Sequence, residues 1–485
     1  MNHSRIGFGC YRIDDRVKEH FDSLSKALTK GITLIDTSAN YSDGRSEILI
    51  GNVLTELISS GRIKREDLTL VTKGGYIQGT NLKFAEKKKQ QGNPFTDVSE
   101  YEPELWHCIS PDFLEDQISR QLFRLGQNDG FGYIDAYLLH NPENFLASAD
   151  KNGEDPESAK EEYYSRIKKA FEFLEEQVLS GKIKSYGISS NTFPAESSKS
   201  NFTSLERVIA VANGVSSNNN FKFIQFPLNL IESNALFLKN QSGNTKTVIE
   251  LAKENNLTVL INRPFNAITS KGIVRFADFY SNEVDIKELE RQLKLLPLLE
   301  DDLINEKLVN STIPESDLGV LKGLLTFGHM MSQNWRTFGS IEHFNDSVEF
   351  FFSPRINYLT DYFDEKVKDD TLVECFDKYM KEVFRLFNYI LDHYKAIANR
   401  RSGYIHSLIN NLCDERYHRF TLSQKTILLL NSIDGVNCAL AGMRKERYVD
   451  EMLETLNAPL ISNAEEVFMK LHSELESADF KNTVI

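Results

Sequence analysis

The chain has 485 residues, 41% hydrophobic and 26% charged, proportions that support a sizeable buried core and exclude a disordered, collagen-like or mucin-like polymer. At about 150 residues per domain this length suggests about three units, or one barrel of about 250 residues carrying a large insertion. The 56 basic and 70 acidic residues leave a net charge of −14 with no long basic stripe, so neither nucleic acid nor an anionic membrane is an expected partner.

No apolar stretch approaches the ~20 residues that cross a bilayer, and Met1-Asn2-His3-Ser4 runs straight into a strand-like segment, not a signal-peptide apolar region. A cytoplasmic location is the expectation. Cys10, Cys108, Cys375, Cys413 and Cys438 are odd in number and lack metal-like spacing, so they read as buried or incidental thiols, and no metal is expected.

In chain order, short β-branched or aliphatic runs fall at 5–9, 32–36, 68–73, 134–140, 185–189, 223–228, 258–263 and 437–442. Helix-spaced segments lie between most of them, at 17–30, 47–59, 111–125, 161–180, 205–212 and 245–255. Eight strand–helix alternations with nearly continuous apolar strands predict an α/β architecture, a parallel (β/α)8 TIM barrel, with an open doubly wound sheet as the structural rival.

The alternation breaks after strand 7. From 267 to 420, Phe, Tyr and Leu recur at helical spacing, as in Phe376, Tyr379, Val383, Leu386, Phe387, Ile390 and Tyr394, which predicts a large helical insertion with a core of its own. The expected organisation is barrel strands 1–7 in 1–266, the insertion in 267–420, and strand 8 with C-terminal helices in 421–485. Because the insertion leaves the C-terminal end of strand 7, where barrels place their sites, it could roof the pocket. Two further excursions, 74–108 and 141–159, open onto the same face; Lys87-Lys88-Lys89 in the first reads as a solvated loop, and 216–220 as a surface loop.

Asp36, Lys73, His140 and Arg263 each close an apolar run. A charged residue is costly to bury inside a barrel strand, so polar groups at successive strand ends should converge on one pocket. Singly, each also fits a structural role: Asp36 as a cap, Lys73 as a solvent-facing strand end, His140 as a rim histidine.

The loop after strand 2 reads Asp36-Thr37-Ser38-Ala39-Asn40-Tyr41-Ser42-Asp43-Gly44-Arg45-Ser46-Glu47, with Tyr41 five positions past the aspartate. Here the sequence resembles the aldo-keto reductase family. The family's D-x-x-x-x-Y loop is matched at Asp36 and Tyr41, its strand-ending lysine by Val71-Thr72-Lys73-Gly74, and its histidine by Leu138-Leu139-His140-Asn141-Pro142-Glu143. The resemblance continues through 110–125, 181–193 and 223–229 and resumes at 420–456.

It implies an NAD(P)H-dependent oxidoreductase that interconverts a small carbonyl (aldehyde, ketone or sugar-like) and an alcohol by hydride transfer, with Asp36, Tyr41, Lys73 and His140 as the catalytic set. The chemistry suits these residue types. Reducing a carbonyl requires an acid for the forming alkoxide, and tyrosine, with an ordinary pKa of about 10, can supply that proton. A cation such as Lys73 lowers the pKa of an adjacent phenol, Asp36 can hold that cation, and His140 can donate a hydrogen bond to the carbonyl oxygen.

The resemblance also implies a nicotinamide nucleotide extended across the barrel mouth, contacted by Gly9, Cys10, Tyr11 and Asp36, with Ser189, Ser190 or Asn191, and Gln225 holding its carboxamide. Many relatives carry a stacking tyrosine where this chain has Asn262-Arg263-Pro264, which leaves Arg263 as a candidate for that contact. After strand 8, Arg444 could pair with a 2′-phosphate and Glu451 matches the family pattern, so NADP (as NADPH) is expected in preference to NAD. Trp106, His107 and Phe113 could line the pocket or pack in the core. The alternative is a catalytically weak, nucleotide-binding regulatory or scaffold protein that uses the insertion as a docking surface.

Overall fold

The computed structural model describes residues 3–126, 132–269, 272–279 and 284–475. The C-terminal residues 476–485, assigned above to the last barrel segment, and residues 270–271 and 280–283 of the insertion lie outside them. The chain divides into two compact units, one holding Met1–Phe265 with Arg416–Glu474, the other Asn266–Glu415.

In the first unit eight strands close a parallel barrel: β1 (Ile6–Gly9), β2 (Leu34–Asp36), β3 (Thr69–Gly74), β4 (Ile134–His140), β5 (Ile183–Ser189), β6 (Phe221–Pro227), β7 (Thr258–Asn262) and β8 (Cys438–Ala441). Each pairs with its chain neighbour, and β1 meets β8 in parallel at Ile6↔Ala439, so no edge is left open and the doubly wound alternative is excluded. Leu34, Val71, Ala136, Leu138, Phe223, Leu260, Cys438 and Leu440 fill the interior, which explains why the strands read as uninterrupted apolar runs. At the β5–β6 junction the register shifts at Tyr186/Gly187, and a Cβ on Gly187 would lie 1.9 Å from the Phe223 carbonyl oxygen.

Helices α1 (Lys18–Thr29), α2 (Arg45–Ser59), α3 (Pro111–Arg124), α4 (Pro156–Leu179), α5 (Leu205–Val215), α6 (Val248–Glu254), α7 (Leu422–Asn431) and α8 (Glu446–Leu456) belong to this unit. α6 starts later than the spacing predicts because Thr247 and Glu250 form a reciprocal capping box there. α7 was not among the predicted segments. All ten of its residues are buried, and its polar residues run together at Ser423–Thr426 ahead of the apolar Ile427–Leu430, so the sequence shows no helical period and only its Thr421–Gln424 capping box marks it.

The 74–108 excursion folds into a helix, Thr80–Gln90, and a small sheet of Tyr76–Ile77, Leu105–His107 and Ser99–Glu102. Lys87, Lys88 and Lys89 form the last turn of that helix, not a loop. There their charge complements the helix C-terminus, and the Lys88 and Lys89 ammoniums lie 4.7 Å from the Phe95 ring and 5.2 Å from the Trp106 ring.

The second unit opens with a hairpin, Asn266–Thr269 and Gly272–Arg275, and continues in helices that end with the long Asp370–Leu412. All seven residues singled out by their helical spacing, Phe376 through Tyr394, lie in its core with Leu289, Leu293 and Leu296. Among the described residues, no helix is long and apolar enough to cross a membrane, and no group of three or more His, Cys, Asp or Glu is placed to hold a metal. Among the described residues, no two cysteines are joined in a disulfide.

Candidate active site

Register brings the polar strand ends together. Gly9 pairs with Asp36, Lys73 with Leu138, His140 with Ser189, and Ser189 with Gln225, so these residues sit side by side at the C-terminal rim.

Lys73 is fully enclosed. Its Nζ lies 2.6 Å from Asp36 Oδ1, 2.9 Å from the Thr37 carbonyl oxygen and 3.3 Å from the Tyr41 hydroxyl. An ammonium has three donors, so these three acceptors use them all and aim one at the phenol. The other oxygen of Asp36 accepts from Gln225 Nε2 at 2.8 Å, and Gln225 Oε1 accepts from Ser189 Oγ at 3.1 Å. In the structure Gln225 and Ser189, expected at a carboxamide, brace the aspartate.

The sequence reading has Lys73 lowering the pKa of Tyr41. In the structure the phenol is instead held well above tyrosine's ordinary value, first by burial and then by the Asp36 carboxylate, which offsets the ammonium beside it. Burial also lowers Lys73, against the pull of Asp36.

Behind this group lies a network that sequence reasoning missed. Glu47, entirely buried at the start of α2, pairs with Arg124 at 2.6 Å and accepts from Thr72 Oγ1 and Gln121 Nε2, both at 2.7 Å. Gln121 Nε2 also reaches the Lys73 carbonyl at 3.1 Å, tying α2 and α3 to the lysine's backbone. The available signal was the acidic Glu47 amid the apolar positions of a helix that has to pack on the barrel.

His140 packs edge-on to Tyr41 at 5.9 Å and to Tyr76 at 4.7 Å, with its Nδ1 3.0 Å from Ser38 Oγ. Burial, and secondarily the Lys73 ammonium, hold its pKa well below the ordinary value, so the ring is neutral. His107 is a backbone clamp: its buried Nε2 sits 2.8 Å from the His140 carbonyl oxygen, and burial pushes its pKa down to about 4. Asn141 Nδ2 donates to the Tyr76 hydroxyl at 2.8 Å. Phe113 is core and Trp106 is buried.

A match to the profile of the "Aldo/keto reductase family" covers residues 5–265, more than half of the chain. The protein belongs to the aldo/keto reductase family. An NADH-specific methylglyoxal reductase of Escherichia coli (strain K12) is 29% identical over 119 residues, 24% of this chain and 30% of that protein. A 4-dihydromethyl-trisporate dehydrogenase of Mucor mucedo is 36% identical over 137 residues, 28% of this chain and 30% of that protein. The chain therefore spans under a third of the length of these two curated relatives. Among solved structures, a holo-form aldo-keto reductase from Bacillus halodurans is similar with a TM-score of 0.46 at 15% identity, covering 97% of this chain and 93% of that one.

The remaining rim residues of this aldo/keto reductase family member are unequally placed. Tyr11 is 63% exposed and stands edge-on to Tyr41 at 5.1 Å, whereas the Cys10 thiol is buried, with its pKa pushed up by burial. Ser190 is buried among Thr192 and Thr203, and Asn191 is exposed, its backbone N–H donating to Glu143 Oε1 at 2.7 Å. Asn262 Oδ1, at the end of β7, is buried without a donor among the described residues. Arg263 takes a left-handed φ of 52° and pairs with Glu232 at 2.9 Å. Arg444 is exposed just ahead of α8, while the Glu451 carboxylate accepts from the Thr421 hydroxyl that caps α7.

Proposed function

We propose that the protein is an NAD(P)H-dependent oxidoreductase interconverting a small carbonyl and an alcohol, with Tyr41 as proton donor. The observation that carries this reading is the saturated Lys73 ammonium, whose third donor meets the Tyr41 hydroxyl at 3.3 Å. A phenol held above its ordinary pKa keeps its proton at neutral pH and so serves as an acid, and the phenolate left after donation has a cation already in place. Neutral His140 offers a ring N–H to the same substrate oxygen.

The rim suits a nicotinamide nucleotide. The lone acceptor on Asn262 matches a carboxamide donor, exposed Asn191 and half-buried Gly9 lie at the strand ends, and Arg444 presents a cation suited to a 2′-phosphate, which favours NADPH. When bound, that nucleotide supplies the hydride. Asp36 and Gln225 keep Lys73 in register with the phenol, and Tyr41, His140, Tyr76 and Tyr11 give the substrate an aromatic surround.

The test is oxidation of NADPH and NADH against a panel of aldehydes and ketones, comparing wild type with Tyr41→Phe. The expected result is turnover that falls by about 10²–10⁴-fold in Tyr41→Phe while nucleotide still binds. Binding without turnover of any carbonyl, or equal turnover in the variant, would favour the binding or scaffold role and end the proposal.

A further inference from the structure

A neutral imidazole donates from only one nitrogen, so His140 can offer a proton from Nε2 only if Nδ1 is an acceptor. Among the described residues, Nδ1 is the ring nitrogen with a hydrogen-bond partner, Ser38 Oγ at 3.0 Å. That hydroxyl is buried on the Asp36–Tyr41 loop and faces three groups, with Asn40 Oδ1 at 2.6 Å and the Lys73 carbonyl oxygen at 3.3 Å besides the histidine. It has one proton.

The Lys73 carbonyl already accepts from the Ala39 N–H at 3.2 Å and from Gln121 Nε2 at 3.1 Å, one donor for each of its lone pairs, so two arrangements satisfy the rest of this cluster. If Ser38 gives its proton to Asn40, Nδ1 must carry the ring proton and donate to Oγ, and Nε2 is left as a bare lone pair facing any carbonyl oxygen. If the Asn40 amide presents its NH2 to Oγ instead, Ser38 is free to donate to Nδ1 and Nε2 carries the proton. An amide can present either end with almost no change of shape, and Asn40 is only half-buried, so its outward end can be solvated either way. A doubly protonated ring is disfavoured by its burial beside the Lys73 ammonium.

We propose that Asn40 and Ser38 are positioning residues, a donor relay running Asn40 to Ser38 to His140 Nδ1 that fixes His140 as a hydrogen-bond donor through Nε2. The inference rests on the carbonyl-reducing function proposed above and names what sets the polarity of its histidine.

Asn40→Asp tests the relay at constant shape. A carboxylate only accepts, so it claims the Ser38 proton, and His140 must then donate from Nδ1 or take a second proton. The resting protein, labelled with ¹⁵N-histidine, is read by NMR, with the His140 ring resonances assigned among the ten histidines by their disappearance in His140→Phe. The expected result is an Nε2–H tautomer in wild type that is lost in Asn40→Asp, with kcat for carbonyl reduction falling by about 10–10³-fold, up to the loss of one oxyanion donor, and nucleotide affinity unchanged. In a Ser38→Ala background the relay is cut, so Asn40→Asp should then change little, whereas a plain charge effect would persist. An Nδ1–H tautomer in wild type, a tautomer indifferent to Asn40→Asp, or additive effects in the double variant would each overturn the relay. The tautomer needs no turnover to be seen. A switch as described in a protein that reduces no carbonyl supports the relay and refutes the function, and reduction with an unresponsive tautomer does the reverse.

Discussion

Replacing Lys73 with methionine removes one ammonium while keeping most of the side-chain volume. The ion pair with Asp36 is buried, with side chains 0% and 5% exposed, and the carboxylate would keep one side-chain donor, Gln225 Nε2 at 2.8 Å. Breaking a buried pair from one side leaves an uncompensated charge and costs about 3–5 kcal/mol. Adding Asp36→Asn removes that charge, so the double variant should recover most of the loss. Under the proposed function catalysis should not recover, because Tyr41 still lacks its cation; reduction should stay down by at least ~100-fold. Urea unfolding is best followed through Trp106 fluorescence in a Trp335→Phe background. Trp335 sits in the core of the other unit, so its removal confines the signal to the barrel. Lys73→Met unfolding within about 1 kcal/mol of wild type, or a double variant that regains activity along with stability, would refute the reasoning.

Two buried groups should give opposite pH slopes. Burial raises Glu143 to about 7 against 4.5 when unfolded, so the folded state holds the extra proton in between; stability should fall by roughly 3 kcal/mol as pH rises through that window, and Glu143→Gln should flatten the slope in equilibrium unfolding. For His107, at about 4 against 6.5, the unfolded state binds the proton, so stability is full above 6.5 and falls by roughly 3 kcal/mol as pH drops towards 4; His107→Gln should remove that fall. Arg444→Ala should weaken NADPH binding about tenfold and leave NADH unaffected by calorimetry, and equal weakening would detach the residue from the 2′-phosphate. Gly187→Ala should abolish soluble barrel, since its Cβ would meet the Phe223 carbonyl oxygen at 1.9 Å; normal thermal unfolding would show that β5 and β6 can part.

What could be read from the sequence depended on contrast along the chain. Barrel strands stood out because apolar runs ended in Asp36, Lys73 and His140, and the second unit's long helix because Phe376 through Tyr394 repeat at helical spacing against charged neighbours. Where contrast is missing the reading failed: α7 is buried on every side, and Lys87–Lys89 are so uniformly polar that a helix end and a loop look alike. The site followed the same rule. Its motif residues were legible, but Gln225 reaches Asp36 across 189 positions of chain, and Ser38 and Glu47 are short or ordinary polar residues whose partners are set by barrel closure.

Those illegible partners determine which way the chemistry is poised. Spacing alone places a cation next to a phenol, which predicts an acidified tyrosine. Adding the carboxylate that spacing also supplies, fixed at 2.6 Å from the ammonium by Gln225 and the β2–β3 register, makes the pair nearly neutral, so burial decides and the phenol keeps its proton. A tyrosine of this kind is ready to donate at neutral pH and must be deprotonated before it can accept. Under the proposed function, carbonyl reduction should therefore stay level through neutral pH, whereas alcohol oxidation should climb as pH rises into the alkaline range. Flat pH dependence in both directions would mean that the proton passes through a group other than Tyr41.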